Sequence, residues 1–548
     1  MNTAELLVQC LQAEGVEYIF GVPGEENADF VMAVEAANMP FILTRHEQGA
    51  AFMADVYGRL TGRAAVCMGT LGPGATNLVT GVADANMDRA PMVEITGQAD
   101  SQRQHKESHQ NMDVVGMFKP VTKWATPVLH PENVPEIVRK TFKLATTEKP
   151  GACHIELAED IAAQEVEGAP LPVRKLRRPG PDDKIVDQAW DLIRKAKRPV
   201  ILAGNGAIRK RASAQLRAFA EATGIGTICT FMGKGAVDMD APYCLFTIGL
   251  QAKDLIACAI DAADLVISLG YDLVEYHPSL WNPGKDKRII HVDFDPAEID
   301  EHYHPEVELV GDLAHTLWML NERNQADPVS WDIGQHQTIR DEMMADFAAH
   351  AEDDTEGSIR PQKALWDVRQ ALGRDDILLS DVGAHKMWIA RYYQCHEPNT
   401  CLISNGFCTM GFALPGSIGA KLAFPDRKVL SISGDGGFLM NVQEMETAAR
   451  LGLPIVAMVW EDGEYGLIAW KQRGHFGHNT KLTFSNPDWV QLARSFGWGA
   501  ERVERSRDLA GALERALAAD TPQLIVIPIN YSENDRLSAR LGQIACPI

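Results

Sequence analysis

A chain of 548 residues with 52 Lys+Arg against 74 Asp+Glu carries a formal net charge of −22, and 46% of it is hydrophobic. That length suits three domains of ordinary size, and the acidic balance excludes non-specific nucleic-acid binding, which needs a basic surface. No apolar run reaches transmembrane length, no signal-peptide pattern precedes the amphipathic start (Leu6, Leu7, Cys10, Leu11), and ten singly scattered cysteines point to a reducing cytoplasm rather than to zinc or disulfides.

A helix, a strand at Tyr18-Ile19-Phe20 and the turn Gly21-Val22-Pro23-Gly24 open the chain. Apolar strands at 41–44, 64–68 and 92–96 alternate with helices, which predicts an α/β fold with a doubly wound parallel sheet. The Pro- and charge-rich stretch 165–183 reads as a linker. Strands recur at 199–202, 265–268 and 289–292, and polar runs at 321–328 and 352–357 bracket a second connection. The expected partition is 1–170, 184–340 and 358–548: three doubly wound parallel-sheet domains, with no clear internal sequence repeat.

The third domain holds the densest chemistry. The apolar run Val429 to Ile432 leads into Gly434-Asp435-Gly436-Gly437, and Leu439, Val442, Met445 and Ala449 then fall at helical spacing. A strand from Pro454 to Trp460 ends in the acidic turn Glu461-Asp462-Gly463-Glu464. In this β-α-β unit Asp435 and Asp462 both lie just past the carboxyl ends of strands, where ligands collect. Two carboxylates with turn carbonyls suit Mg²⁺ or Mn²⁺, and glycine amides suit phosphate. Taken alone, the same residues also read as two solvated loop acids.

Three other stretches draw notice. Glu47 follows an apolar strand and opens a helix; it is either a desolvated proton-transfer group or a carboxylate stabilised by the helix dipole. Ser380-Asp381-Val382-Gly383-Ala384-His385 closes a strand and opens a helix, with amides and a ring N–H suited to a diphosphate. Gly204-Asn205-Gly206 is a lone G-x-G without a third glycine, and reads as a tight turn.

GDGG followed about 25 residues later by an acid or amide resembles the metal and diphosphate motif of thiamine diphosphate (ThDP) enzymes, whose architecture is pyruvate decarboxylase-like. Asp462, where that family usually has a paired Asn, is similar to catabolic, FAD-independent acetolactate synthases. The resemblance runs over nearly the whole chain, through RHE at 45–47, GPGATNL at 72–78, HQNMDVVGMFKPVTKWA from His109, and NGFCTMGFALP at 405–415.

It implies metal ligation by the side chains of Asp435 and Asp462 and the carbonyl of Glu464. It places Pro23, Pro73, Asn77, Gly383, Ala384, His385, Gly434, Gly436, Gly437, Tyr465 and Gly466 against the cofactor. Glu47 would exchange a proton with the aminopyrimidine ring, and Met410 would wedge the cofactor into its bent form. Gln110, matching the glutamine of carboligating members, and His109 would position the acceptor. Trp470 would line the substrate cavity, and Glu25 would face it, where an acid disfavours an anionic acceptor. The segment Leu269 to Gly284 looks like the flavin-free branch, so FAD is not expected.

The implied reaction is decarboxylation of a 2-oxo acid such as pyruvate and carboligation to a second oxo acid, giving 2-acetolactate. It would run in a homodimer or homotetramer with sites between the first domain of one subunit and the third of its partner. The alternatives are a ThDP-dependent decarboxylase or lyase that releases an aldehyde, and a non-catalytic paralogue.

Overall fold

The structure is a computed structural model that describes residues 1–174, 177–209, 211–249 and 255–539. The alternating apolar segments form three six-stranded sheets, parallel throughout the described residues, as expected for the doubly wound class. In the first, β1 (Ile19–Gly21), β2 (Phe41–Leu43), β3 (Ala65–Gly69), β4 (Met92–Gln98), β5 (Trp124–Pro127) and β6 (Ala152–Ala158) lie in the order β2-β1-β3-β4-β6-β5. In the second, β7 (Pro199–Ala203), β8 (Gly226–Cys229), β9 (Cys244–Thr247), β10 (Leu265–Leu269), β11 (Arg288–Asp293) and β12 (Val307–Val310) run β12-β11-β10-β7-β8-β9. In the third, β13 (Ile377–Ser380), β14 (Cys401–Ile403), β15 (Val429–Gly434), β16 (Val456–Glu461), β17 (Gly499–Arg502) and β18 (Gln523–Pro528) run β14-β13-β15-β16-β18-β17.

The first and third sheets thus share one topology, a repeat that the residues themselves do not reveal. The middle sheet has the dinucleotide-fold order. Strand order reverses between β1 and β3, between β7 and β10, and between β13 and β15. The crevices beyond the carboxyl ends of those pairs are where such folds bind ligands.

The first and third domains of one chain share a core that joins Phe20, Phe52 and Met92 to Leu379, Phe412 and Val459. Helix Ala413–Ala423 packs on helix Glu47–Thr61 because glycines leave room. A Cβ on Gly419 would sit 2.3 Å from the Met53 carbonyl oxygen. The Phe52 and Phe412 rings meet edge-on at 5.7 Å. Polar groups lock the seam: the Asp88 carboxylate accepts from the Asn405 and Gly406 amides at 2.9 and 2.6 Å. The Glu444 carboxylate accepts from the Arg45 and His46 amides at 3.2 and 3.1 Å, holding the turn before Glu47.

Two expectations need correction. The helix read through Leu439, Val442, Met445 and Ala449 is broken into Asp435–Phe438, a 3-10 turn Leu439–Asn441, and Glu444–Arg450. Asn441 is fully buried and donates its side-chain amide to the Gly411 carbonyl at 2.8 Å, a tertiary bond that competes with the helix. The polar run at 321–328 is mostly helix, since Leu313–Ala326 continues through it and Gln337–Ala348 follows. No described helix is long and apolar enough to cross a membrane.

Candidate active site

The crevice between β13 and β15 opens into a cavity of about 230 Å³. Val382, Gly383, Ala384 and His385 form one wall, Gly434 to Gly437 the floor, and Met410, Tyr465 and Gly466 the rim. Side chains on the floor would close it: a Cβ on Gly436 would lie 2.8 Å from the Tyr465 ring, and one on Gly437 3.0 Å from the Asp381 carboxylate. His385 is 2% exposed, and its Nε2 has no hydrogen-bond partner among the described residues. Burial pushes its pKa down to about 3, so the ring is neutral. A buried polar atom left unpaired at a cavity wall is a place for a ligand to supply the bond.

Asp381 positions the residue above that floor. Its Oδ1 accepts from the Val382 amide at 2.7 Å and the Gly411 amide at 2.8 Å, which fixes the turn carrying Met410 over the cavity. Burial raises its own pKa to about 6 despite those bonds.

Asp435 and Asp462 converge at the far end of the cavity. Asp435 is 1% exposed; its Oδ2 accepts from the Gly463 amide (2.7 Å), the Asp462 amide (3.2 Å) and Asn486 Nδ2 (2.8 Å), and its Oδ1 from the Gly436 amide (2.9 Å). Burial, and then the adjacent Asp435 carboxylate, raise the Asp462 pKa to about 7. Two acids forced together this way are relieved by a cation between them. The Glu464 carboxylate binds Arg473 and Asn479 at 3.3 and 3.2 Å, and its carbonyl accepts from the Gly466 amide at 2.8 Å. Asn486, whose Oδ1 is buried without a partner among the described residues, was not legible in the sequence, since it reaches the site from a loop 51 residues beyond Asp435.

The first-domain residues gather separately, at the carboxyl ends of β1, β2 and β3. Glu47 opens its helix at 8% exposure, and its Oε2 accepts from Asn77 Nδ2 at 2.9 Å. Pro73 is the first residue of helix Pro73–Met87. Gln110 and His109 are exposed; Gln110 has φ of +55°, and a Cβ on Gly72 would lie 2.8 Å from its carbonyl oxygen, so its loop sits directly on the turn before Pro73. Gln98 Nε2 anchors that loop by donating to the Met112 carbonyl (3.0 Å) and Glu156 (2.9 Å). Pro23 and Glu25 are exposed, whereas Glu26 accepts from the Thr70 hydroxyl at 3.0 Å across the switch point. None of these residues lines the third-domain cavity.

Trp470 stands on helix Gly466–Phe476. Its indole N–H donates to Asp535 at 2.7 Å, and it lines an adjoining cavity of about 470 Å³ with Arg473, Tyr531 and Asn534. Leu467 and Ile468 of the same helix reach the first cavity instead. The α-helical rotation between positions 468 and 470 turns their side chains to different faces.

In the middle domain the Gly204-Asn205-Gly206 turn is packed shut. A Cβ on Gly206 would lie 2.6 Å from the Gly270 Cα. The Glu275 carboxylate accepts from the Asn205 amide at 3.1 Å, the Asp272 amide at 3.0 Å and the Thr230 hydroxyl.

Comparison with known proteins agrees across the chain. Residues 1–117 match the N-terminal TPP binding domain of thiamine pyrophosphate enzymes, residues 186–320 their central domain, and residues 381–527 their C-terminal TPP binding domain. Thiamine pyrophosphate is another name for ThDP. The chain is 34% identical to an acetolactate synthase of Bacillus subtilis (strain 168), over 99% of this chain and 96% of that one. It is 35% identical to a catabolic acetolactate synthase of Raoultella terrigena (98% and 97%). With the acetolactate synthase isozyme 2 large subunit of Escherichia coli (strain K12) it shares 34% (97% and 96%). Three matched domains and full-length relatives agree: the chain belongs to the thiamine pyrophosphate enzyme family.

Proposed function

We propose that this protein is a ThDP- and Mg²⁺-dependent acetolactate synthase that condenses two pyruvate molecules with loss of CO₂. The observation that carries the cofactor assignment is the third-domain crevice: an unpaired neutral His385 Nε2, a glycine floor that no side chain can share, and two crowded carboxylates. The carboligating outcome is supported by the acetolactate synthase relatives along the full chain.

His385 and the amides of Gly436 and Gly437 would hold the diphosphate, and Asp435, Asp462 and the Glu464 carbonyl its metal. ThDP, when bound, supplies a stabilised carbanion equivalent for cleaving and forming bonds next to a carbonyl. Glu47, buried and oriented by the Asn77 amide that donates to its Oε2, would be the carboxyl group that moves a proton to and from the cofactor. Met410, fixed through Asp381 and Gly411, keeps one wall of the cavity apolar and dry. Gln110 and His109, on the loop anchored by Gln98, orient the acceptor.

Glu47 and Asn77 lie away from the cavity of their own chain, which supports a site completed by a second copy, as a homodimer or homotetramer. In the middle domain the crevice amides are paired with Glu275, which supports a reaction without FAD. The cytoplasm is the proposed compartment, with domains at 1–170, 184–340 and 358–548.

The test is product analysis with ThDP, Mg²⁺ and pyruvate and no flavin. Acetolactate, read as acetoin after acid treatment, is the expected product. Acetaldehyde alone would replace the proposal with a decarboxylase.

A further inference from the structure

Cys408 lies in the sequence between two residues already placed, Asn405 and Met410, and lines the ThDP-type cavity. Unlike Cys10, Cys67, Cys153, Cys229, Cys244, Cys395 and Cys401, which are buried, it is exposed. Its backbone has φ of +59°, in the left-handed region that favours glycine. Behind it stands Lys386, 3% exposed, whose Nζ is 3.1 Å from Cys408 Sγ and donates to the Ser404 carbonyl at 2.9 Å. The Cys408 thiol donates to the Asn405 carbonyl at 2.8 Å.

Among the described residues no carboxylate lies within ion-pair distance of Lys386. Buried ammonium groups are normally paired, because an uncompensated charge in a protein interior is costly. Lys386 instead donates to the Ser404 carbonyl and to Cys408 Sγ, so the sulphur is one of the two groups that its ammonium is recorded to bond. A cysteine beside a lysine, partly exposed at a cavity, is the environment in which thiols are nucleophilic. The neighbouring wall residue, His385, with its own unpaired buried Nε2, marks the same cavity as one that takes a ligand.

We propose that the Cys408–Lys386 pair is a modification site for soft electrophiles, and that its modification closes the cavity to the diphosphate cofactor. In the reaction with an alkyl halide the sulphur lone pair forms the S–C bond as the C–halogen bond breaks. Halide leaves, and any thiol proton passes to solvent. The adduct then stands at the cavity wall beside Met410, two residues on. The second half of this proposal rests on the ThDP reading; the first half does not.

The experiment treats the full-length protein with iodoacetamide, with and without ThDP and Mg²⁺, and follows each cysteine by peptide mass mapping. Cys408 is expected to carry the adduct first. Saturating ThDP and Mg²⁺ should slow its labelling about tenfold or more, and Lys386→Met should slow it by about the same factor by removing the lysine that activates the sulphur. A folded Lys386→Met protein that labels at the wild-type rate overturns the activation by lysine. Should that variant not fold, Cys408→Ser serves: loss of ThDP binding on iodoacetamide treatment should disappear in it, and loss at the wild-type rate overturns the proposal. ThDP binding is measured on the same samples. Cofactor that binds but does not protect sinks the inference, while cofactor that does not bind at all sinks the proposed function and leaves the lysine arm as the test.

Discussion

The crevice of the third domain and that of the middle domain stand at equivalent places, each at the reversal of strand order in a six-stranded parallel sheet. They differ in where their polar groups find partners. Between β7 and β10, Glu275 accepts two loop amides and a hydroxyl, and Gly206 lies against Gly270, so the turn's own groups are engaged with one another. Between β13 and β15 the glycine floor stays open, His385 Nε2 is unpaired, and Asp435 and Asp462 crowd each other. Topology offers a site; unsatisfied hydrogen-bonding groups make it one.

The largest effect expected concerns the first-domain part of the proposed site. Glu47→Gln keeps the shape and the Asn77 bond but removes the exchangeable carboxyl proton, and kcat should fall about 10²–10⁴-fold with ThDP affinity little changed. Undiminished turnover would remove Glu47 from the reaction. Asn486→Ala deletes the side chain that orients Asp435, and Mg²⁺ affinity, measured through ThDP retention, should weaken about 10–100-fold. Retention at the wild-type level would place the metal away from Asp435.

The middle crevice makes the opposite prediction. Glu275→Ala strips partners from buried amides and should destabilise the protein by about 2–4 kcal/mol in thermal or urea unfolding, while folded molecules keep their turnover. A loss of turnover without loss of stability would mean the closed crevice serves the reaction.

Burial raises the Glu275 pKa to about 7, with the neighbouring Asp272 as the second cause. The native state therefore holds this proton while the unfolded chain releases it near 4.5. That difference lowers stability as pH rises from about 4.5 to about 7. Glu275→Gln should flatten that part of the stability profile relative to wild type. The smallest effect is none at all: added FAD should leave both turnover and thermal midpoint unchanged, and a rise in either would reopen the middle crevice to a flavin.

Much of this was legible in one dimension. GDGG after a β-branched run, an acidic turn one helix and one strand later, and Glu47 at the head of a helix each depend on local rules: strand, turn, helix start. Those rules also gave three α/β domains, because apolar runs of strand length alternate with helical patterns. Which residues of helix Gly466–Phe476 face which cavity was missed by those rules: Leu467 and Ile468 line the first, and Trp470 lines the adjoining one that shares Asp462 and Glu464 with it. The continuous helix after Gly437 was misread, because Asn441 answers to the Gly411 carbonyl, 30 residues away.

The sequence by itself determined the kind of domain and the acids and glycines at strand ends, since backbone propensity and burial act over a few residues at a time. Tertiary structure alone decided which of the crevices stays open. It also brought Asn486 to Asp435 and Lys386 to Cys408, and made Glu444 a clamp on the turn before Glu47. Those contacts join residues far apart in the chain, and whether a buried polar group finds a partner depends on what the fold places within about 3 Å of it.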